Sequence, residues 1–286
     1  MRPKFSWAST RRLIDLTGSS AQVLEDVFSD ELFGGEFEAA IESAKQHIET
    51  LSSRGIYLAS IYGSSYPRQL SAVHDAPAVL YWQGQHSPAD DRAVAIVGTR
   101  NPDAWGLGFS SQLAQMFADS QIPVVSGLAR GVDSSAMASS LRHGGRTVGV
   151  IGSGHNRVYP KENAALQASV SKHLLLSQFA PDTPPSRQTF PMRNAVMSGF
   201  TSATVIVQAG ETSGTKIQAK AAVRHGRPLV LTAAVMRSAE WARGLVASGY
   251  DVRVVSTPEE AFSVVKSLQA RAEDVSGEWS TGSLFA

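Results

Sequence analysis

The stretch "AVAIVGTRNPDAWG", Ala93–Gly106, decides the fold. Its first part is an unbroken apolar run that stops at Gly98 and gives way to polar residues. Alternating polarity would mark a strand with one wet face, whereas a continuous run marks a strand covered on both faces. A covered strand that ends in glycine and turns into a helix opens an α/β domain built on a parallel sheet. The dinucleotide fingerprint G-x-G-x-x-G does not follow it.

The same pattern recurs on moving outward. Further covered strands are expected at "IPVVSG" (122–127), "RTVGVIG" (146–152), "HLLLSQF" (173–179), "ATVIVQAG" (203–210), "RPLVLT" (227–232) and "DVRVVST" (251–257). Helical spacing predicts helices near 105–119, 133–143, 161–171, 191–199, 214–225, 238–248 and 258–270. This alternation implies a doubly wound, mostly parallel, Rossmann-like sheet with right-handed crossovers. Upstream, "SAQVLEDVF" (20–28) and "EFEAAIESAKQHIETLSSRG" (36–55) read as helices, with Gly55 as a stop. "IYLASI" (56–61) and "AVLYWQG" (78–84) read as short strands, and "QHSPADD" (85–91) as a linker. The expected division is a helical N-terminal region over 1–65, the α/β domain over 66–270 and a polar, frayed tail over 271–286.

Composition narrows the function classes. The 286 residues include no cysteine, which removes disulfide and thiolate chemistry and argues against structural zinc. Neither a signal-peptide run nor a membrane-spanning stretch is visible, so a cytoplasmic location is the expectation. Net charge is only +1, but Arg92 to Arg193 holds ten Lys/Arg against five Asp/Glu. Positive charge therefore gathers where the strand-to-helix loops lie, although a solvated basic surface would give the same count.

Glycine ends four of the strand runs, at Gly98, Gly127, Gly152 and Gly210. Ligands of open parallel sheets bind beyond the carboxyl ends of the strands. Glycine there clears side chains from the approach, and each following helix is expected to offer unpaired N–H groups to an anion such as phosphate. "GSGHNR" (152–157) lacks the third fingerprint glycine, and "GETSGTK" (210–216) has the wrong order for a Walker A loop. Arg100, Arg130, Arg157, Lys161 and Arg193 instead stand on or beside these connections. Guanidinium groups suit paired contacts with phosphate oxygens. Tyr159, Phe190 and Trp105 are candidates for base stacking. His143 and His225 read as helix-end residues, His155 alone falls near the crevice, and no histidine pair has zinc-ligand spacing.

Several of these motifs together resemble one family. "YPRQL…APAVLYWQG", "VAIVGTR", "VVSGLARGVDSSAM", "GVIGSGHNRVYPKEN", "FPMRN" and "SGTKIQA" stand in the order and spacing of the DprA/Smf DNA-processing family, from about Tyr66 to Pro228. The resemblance implies a Rossmann-like core of the SLOG superfamily, single-stranded DNA binding in a basic crevice, homodimerisation and loading of RecA recombinase in natural transformation. It implies no catalysis and no cofactor. Carried over by motif, together with the glycine turns and the cations, the DNA- or phosphate-binding set is Gly98, Thr99, Arg100, Gly127, Arg130, Gly152, Gly154, Arg157, Lys161, Arg193, Asn194, Ser213, Gly214 and Thr215. The chain departs from the family pattern at Met137, where histidine is usual, and at Gln178 and Gln208, where acids are usual. No segment resembling the family's C-terminal winged helix follows Ala270.

Two other readings stay open within the same superfamily. A sensor of a nucleotide-derived signal, as in phage defence, would use the same glycine turns and arginines. A LOG-like nucleotide phosphoribohydrolase would need a carboxylate at the crevice, for which Glu211 and Asp133 are the candidates.

Overall fold

The computed structural model describes residues 34–281 together with Ile14 and Leu16; the helix predicted over 20–28 lies outside the described residues. Helix α1, Gly34–Ser53, ends before Gly55, which takes φ +71°. One nine-stranded sheet follows, made of β1 Ile56–Ser60, β2 Val79–Gly84, β3 Val94–Val97, β4 Val124–Ser126, β5 Thr147–Val150, β6 Leu174–Ser177, β7 Ala203–Ile206, β8 Leu229–Thr232 and β9 Val252–Val255. The helices between them are α2 Arg68–Ser71, α3 Ala104–Asp119, α4 Val132–Arg142, α5 Ala164–Val170, α6 Thr189–Phe200, α7 Thr215–Arg224, α8 Ala233–Ser238, α9 Glu240–Ala247 and α10 Pro258–Thr281.

The strand order is β1-β2-β6-β5-β4-β3-β7-β8-β9. Strands β3 to β9 pair in parallel, while β2 runs antiparallel to both β1 and β6. The chain winds from β3 outward to β6 and then returns to lay β7 on the other side of β3. That reversal creates a switch point, and a crevice opens there beyond the carboxyl ends of β3 and β7.

Period-2 alternation explains why the inner strands β3 to β8 are apolar, whereas β9, also expected to be covered, is an edge strand with Arg253 and Val254 exposed. Val94 and Ile96 of β3 pack on one face with Phe109, Leu113 and Phe117 of α3. Ala95 and Val97 of the same strand pack on the other face with Val196, Met197 and Phe200 of α6. Both faces are buried, so neither set of positions can be polar.

The structure differs from the sequence expectation at three further places. Strands β1 and β2 extend the main sheet, which therefore begins upstream of position 66. The helix expected over 238–248 is α9, and an unexpected short helix, α8, precedes it, separated from it at Ala239 (φ −137°); α8 starts directly after β8, where Thr232 Oγ1 accepts the Val235 N–H. The expected tail from 271 continues α10 as far as Thr281, where Arg271, Ala272 and Glu273 favour helix. Among the described residues, no helix is long and apolar enough to cross a membrane.

Candidate nucleic-acid interface

Two clefts open beyond the carboxyl ends of the strands and share a wall of Arg100, Ala129, Phe190 and Arg193. The larger, of about 830 Å3, lies beyond β4 and β5 and is bordered by Gly127, Arg130, Gly152, Arg157, Tyr159 and Lys161. The smaller, of about 490 Å3, is the switch-point crevice, bordered by Gly98, Thr99, Asn194, Ser213, Gly214 and Thr215. Thirteen of the fourteen sequence-derived site residues thus border one continuous depression. Gly154 borders neither cleft: a side chain there would overlap the carbonyl of Ala180 and the backbone of Pro181, so its bareness serves loop packing.

The floor is held by a buried guanidinium. Arg193, 7% exposed, donates from Nη1 to the carbonyls of Gly127 (2.7 Å) and Val150 (2.8 Å), and from Nε to Asn194 Oδ1 (2.9 Å). It ties the carboxyl ends of β4 and β5 to α6. Its Nε and Nη1 are thus engaged within the protein, although the residue borders both clefts. Burial pushes its pKa down, against the opposing effect of Asp133. Asp133 is buried too and accepts the Gly127 N–H (3.1 Å); burial pushes its carboxyl up.

The strand-ending glycines serve the floor more than the ligand. A Cβ on Gly127 would overlap the Arg193 guanidinium, and one on Gly152 would press into the Phe190 ring. A Cβ on Gly98 would strike Val132. Only Gly210, of the four, has open space where its side chain would be. Sequence reading missed Gly131, whose φ of +81° and close approach to the Thr99 carbonyl seat the N-terminus of α4 against the Gly98–Arg100 turn. The motif "ARGVD" carries that signal.

Helix N-termini contribute less than expected. Val132 N donates to the Thr99 carbonyl (3.3 Å) and Ser134 N to that of Ala129 (3.2 Å). At α7, Thr215 N donates to Ser213 Oγ (3.3 Å) and Lys216 N to the Ser213 carbonyl (3.1 Å). These donors are satisfied within the protein, so attraction for anions falls to the side chains of the rim.

The rim carries that charge. Arg100, Arg130, Arg157 and Lys161 are all exposed. Arg130 faces Glu162 across 3.4 Å, and Arg157 Nε donates to the Asp182 carbonyl (3.2 Å). Tyr159 and Phe190 lie with ring centroids 5.5 Å apart, and the Arg100 guanidinium sits 5.7 Å from the Phe190 centroid. Trp105 borders neither cleft and packs instead on Phe109 (5.2 Å). Pro184 and Pro185, which sequence reading did not single out, also border the larger cleft.

The remaining candidates resolve locally. Met137 is fully buried with Leu128, Ile151, Val170 and Leu175, so the residue standing for the family's histidine fills the core. Gln208 accepts the Asp103 N–H (3.2 Å) and donates to Asp103 Oδ2 (3.0 Å), while Asp103 Oδ1 caps α3 through Gly106 N (2.8 Å). A carboxylate at 208 would lose that donor and repel Asp103. Nothing in the structure explains Gln178, whose Nε2 is buried without a partner. His155 is turned inward, with Nε2 3.0 Å from the Leu175 carbonyl, and borders neither cleft. His225 is not merely a helix-end residue; it meets Asp75 at 2.7 Å. Glu211 caps α9 through Glu240 N (2.6 Å), pairs with Lys216 (3.6 Å) and borders neither cleft.

Comparison with known proteins joins these observations to a family. The sequence profile of DNA recombination-mediator protein A matches residues 57–260. The DNA processing protein DprA of Bacillus subtilis is 35% identical over 214 residues, 73% of this chain and 72% of that protein. Protein Smf of Synechocystis is 36% identical over 167 residues, 57% of this chain and 42% of that protein. The crystal structure of DprA from Streptococcus pneumoniae superposes with a TM-score of 0.71 at 25% identity, over 90% of this chain and 93% of that one. DNA processing protein A of Helicobacter pylori shares the fold at a TM-score of 0.65 and 23% identity, over 73% of this chain and 96% of that one. The profile match contains both clefts and every cation of their rim, and the chain belongs to the DprA/Smf family of DNA-processing proteins.

Proposed function

We propose that this chain binds single-stranded DNA along the larger cleft and across into the switch-point crevice. One observation carries the reading: Arg100, Arg157 and Lys161 stand exposed around the Tyr159–Phe190 pair in a single open cleft. An unpaired strand needs cations along its backbone and flat groups for its bases, and this cleft offers both. Family membership supports it, as does the H. pylori relative, which is described as having a distinctive single-stranded DNA binding mode. The reading extends to a cytoplasmic, non-catalytic homodimer that passes its strand to RecA in natural transformation. Its three domain-like parts are the N-terminal region, the DNA-binding α/β unit and the C-terminal segment.

Titration of a labelled oligonucleotide against salt tests the proposal. Binding should weaken steeply with salt, and Arg100→Ala should lower the slope of log affinity against log salt by about 0.7 while leaving the thermal midpoint in place. A free mononucleotide should compete poorly. Equal competition by the mononucleotide, with a shallow salt slope, would favour the small-nucleotide sensor. RecA loading is tested separately by the rate of RecA filament growth on strands coated with single-strand-binding protein. An unchanged rate would remove that part of the reading.

A further inference from the structure

The C-terminal end of α7 points away from the crevice, and a second cluster of chemistry-bearing side chains meets there. His225, the residue that closes α7, has a side chain 0% exposed, and its Nε2 lies 2.7 Å from Asp75 Oδ1. His74 Nε2 lies 3.9 Å from the other Asp75 oxygen. One donor atom from each of the three residues falls within 4.8 Å of the others. The two histidine rings stand edge to face at 5.6 Å.

We propose that His74, Asp75 and His225 form a binding site for a divalent transition-metal ion of the zinc class. Two imidazoles and one carboxylate match the ligand preferences of zinc, cobalt and nickel, whereas magnesium and calcium prefer oxygen alone. The second nitrogen of His225, Nδ1, is 3.0 Å from Ser198 Oγ. A partner on the far nitrogen fixes the ring and leaves Nε2 facing the ion, as supporting groups of metal sites do.

Zinc–ligand bonds are about 2.0–2.2 Å, so the three donors need to close on the ion. His74 can do this, because its side chain is 62% exposed and not locked by packing. Arg224 is the competitor: its Nη2 lies 3.8 Å from Asp75 Oδ2, and its side chain is 58% exposed. Occupancy requires that guanidinium to swing into solvent. The bound ion would clasp the segment leading into β2 to the end of α7, joining residues 150 positions apart. Fixing such distant points restricts the unfolded chain and stabilises the fold.

The test uses the full chain, stripped with a chelator and then titrated with zinc by calorimetry and by thermal melting. One zinc ion per chain should bind at micromolar concentration and raise the melting midpoint, and magnesium should do neither. His74→Ala and Asp75→Asn should each weaken zinc binding about tenfold or more. Cobalt should give visible absorption bands that His74→Ala removes. Because His74 is exposed, His74→Ala should melt like the parent without metal and still bind single-stranded DNA. Absence of saturable zinc binding would overturn the proposal. So would zinc binding of unchanged affinity in both variants, which would assign the ion to other histidines.

Discussion

Arg193 and Arg100 belong to the same clefts and carry the same guanidinium, yet they do opposite work. The first is buried in the floor, with its donors on the Gly127 and Val150 carbonyls and on Asn194. The second stands exposed on the rim, held loosely over Phe190. A buried charge is tolerated only where protein groups replace its water, so the floor arginine is committed before any ligand arrives. The rim arginine keeps its water and can exchange it for phosphate. Burial therefore sorts chemically identical residues into one tied to the scaffold and one left open to solvent.

The largest expected effect tests the floor. Arg193→Ala should cost about 3–5 kcal/mol of folding stability, because it strands two buried carbonyls and removes the cation near Asp133. Urea denaturation measures this directly, and Arg100→Ala in the same experiment should unfold with the parent. If the two variants unfold at the same urea concentration, the division between floor and rim is broken.

That division also marks what the sequence could reveal. The covered strands were legible because apolar runs such as "AVAIVG" leave no polar face, and the turns were legible because glycine ends them. What each glycine accommodates was not legible. Arg193 fills the space over Gly127 and Phe190 that over Gly152, and both arrive from α6, far along the chain. The helix N-termini looked available for the same reason, since the Thr99 carbonyl that takes the Val132 N–H comes from a different loop. Arg100 and Arg193 were indistinguishable as letters, because burial is a property of the assembled sheet. Gln208 reads in the sequence as a lost acid, and only the fold sets Asp103 beside it. The motif set did place thirteen of fourteen residues at the depression, because residues at the ends of parallel strands share one edge whatever lies beneath them.

A second test sharpens the rim. Tyr159 is 42% exposed and packs on Phe190 from the open side of the cleft. Tyr159→Ala should weaken single-stranded DNA binding by about 1–3 kcal/mol, the usual worth of one stacked base. Tyr159→Phe should bind like the parent. The loss should persist at high salt, since stacking releases no counterions, and this separates it from the loss caused by Arg100→Ala. A Tyr159→Ala loss that vanishes at high salt would mean the ring only positions a cation.

The smallest expected effect probes the pairing of Arg130 with Glu162 on the rim. Both side chains are more than half exposed, at 59% and 54%, and their nearest atoms are 3.4 Å apart. An ion pair of this kind is worth about 0–1 kcal/mol, so removing its acid should hardly change stability. It should change the ligand's side of the balance, because Glu162 is the carboxylate that borders the larger cleft and repels phosphate. Glu162→Gln should therefore tighten binding of a labelled oligonucleotide by roughly two- to fivefold at low salt, a gain that shrinks as the Debye length falls. Weaker binding instead would show that Arg130 needs its partner to be aimed at the strand. The rim would then be organised in advance as the floor is, and exposure alone would no longer separate the two kinds of arginine.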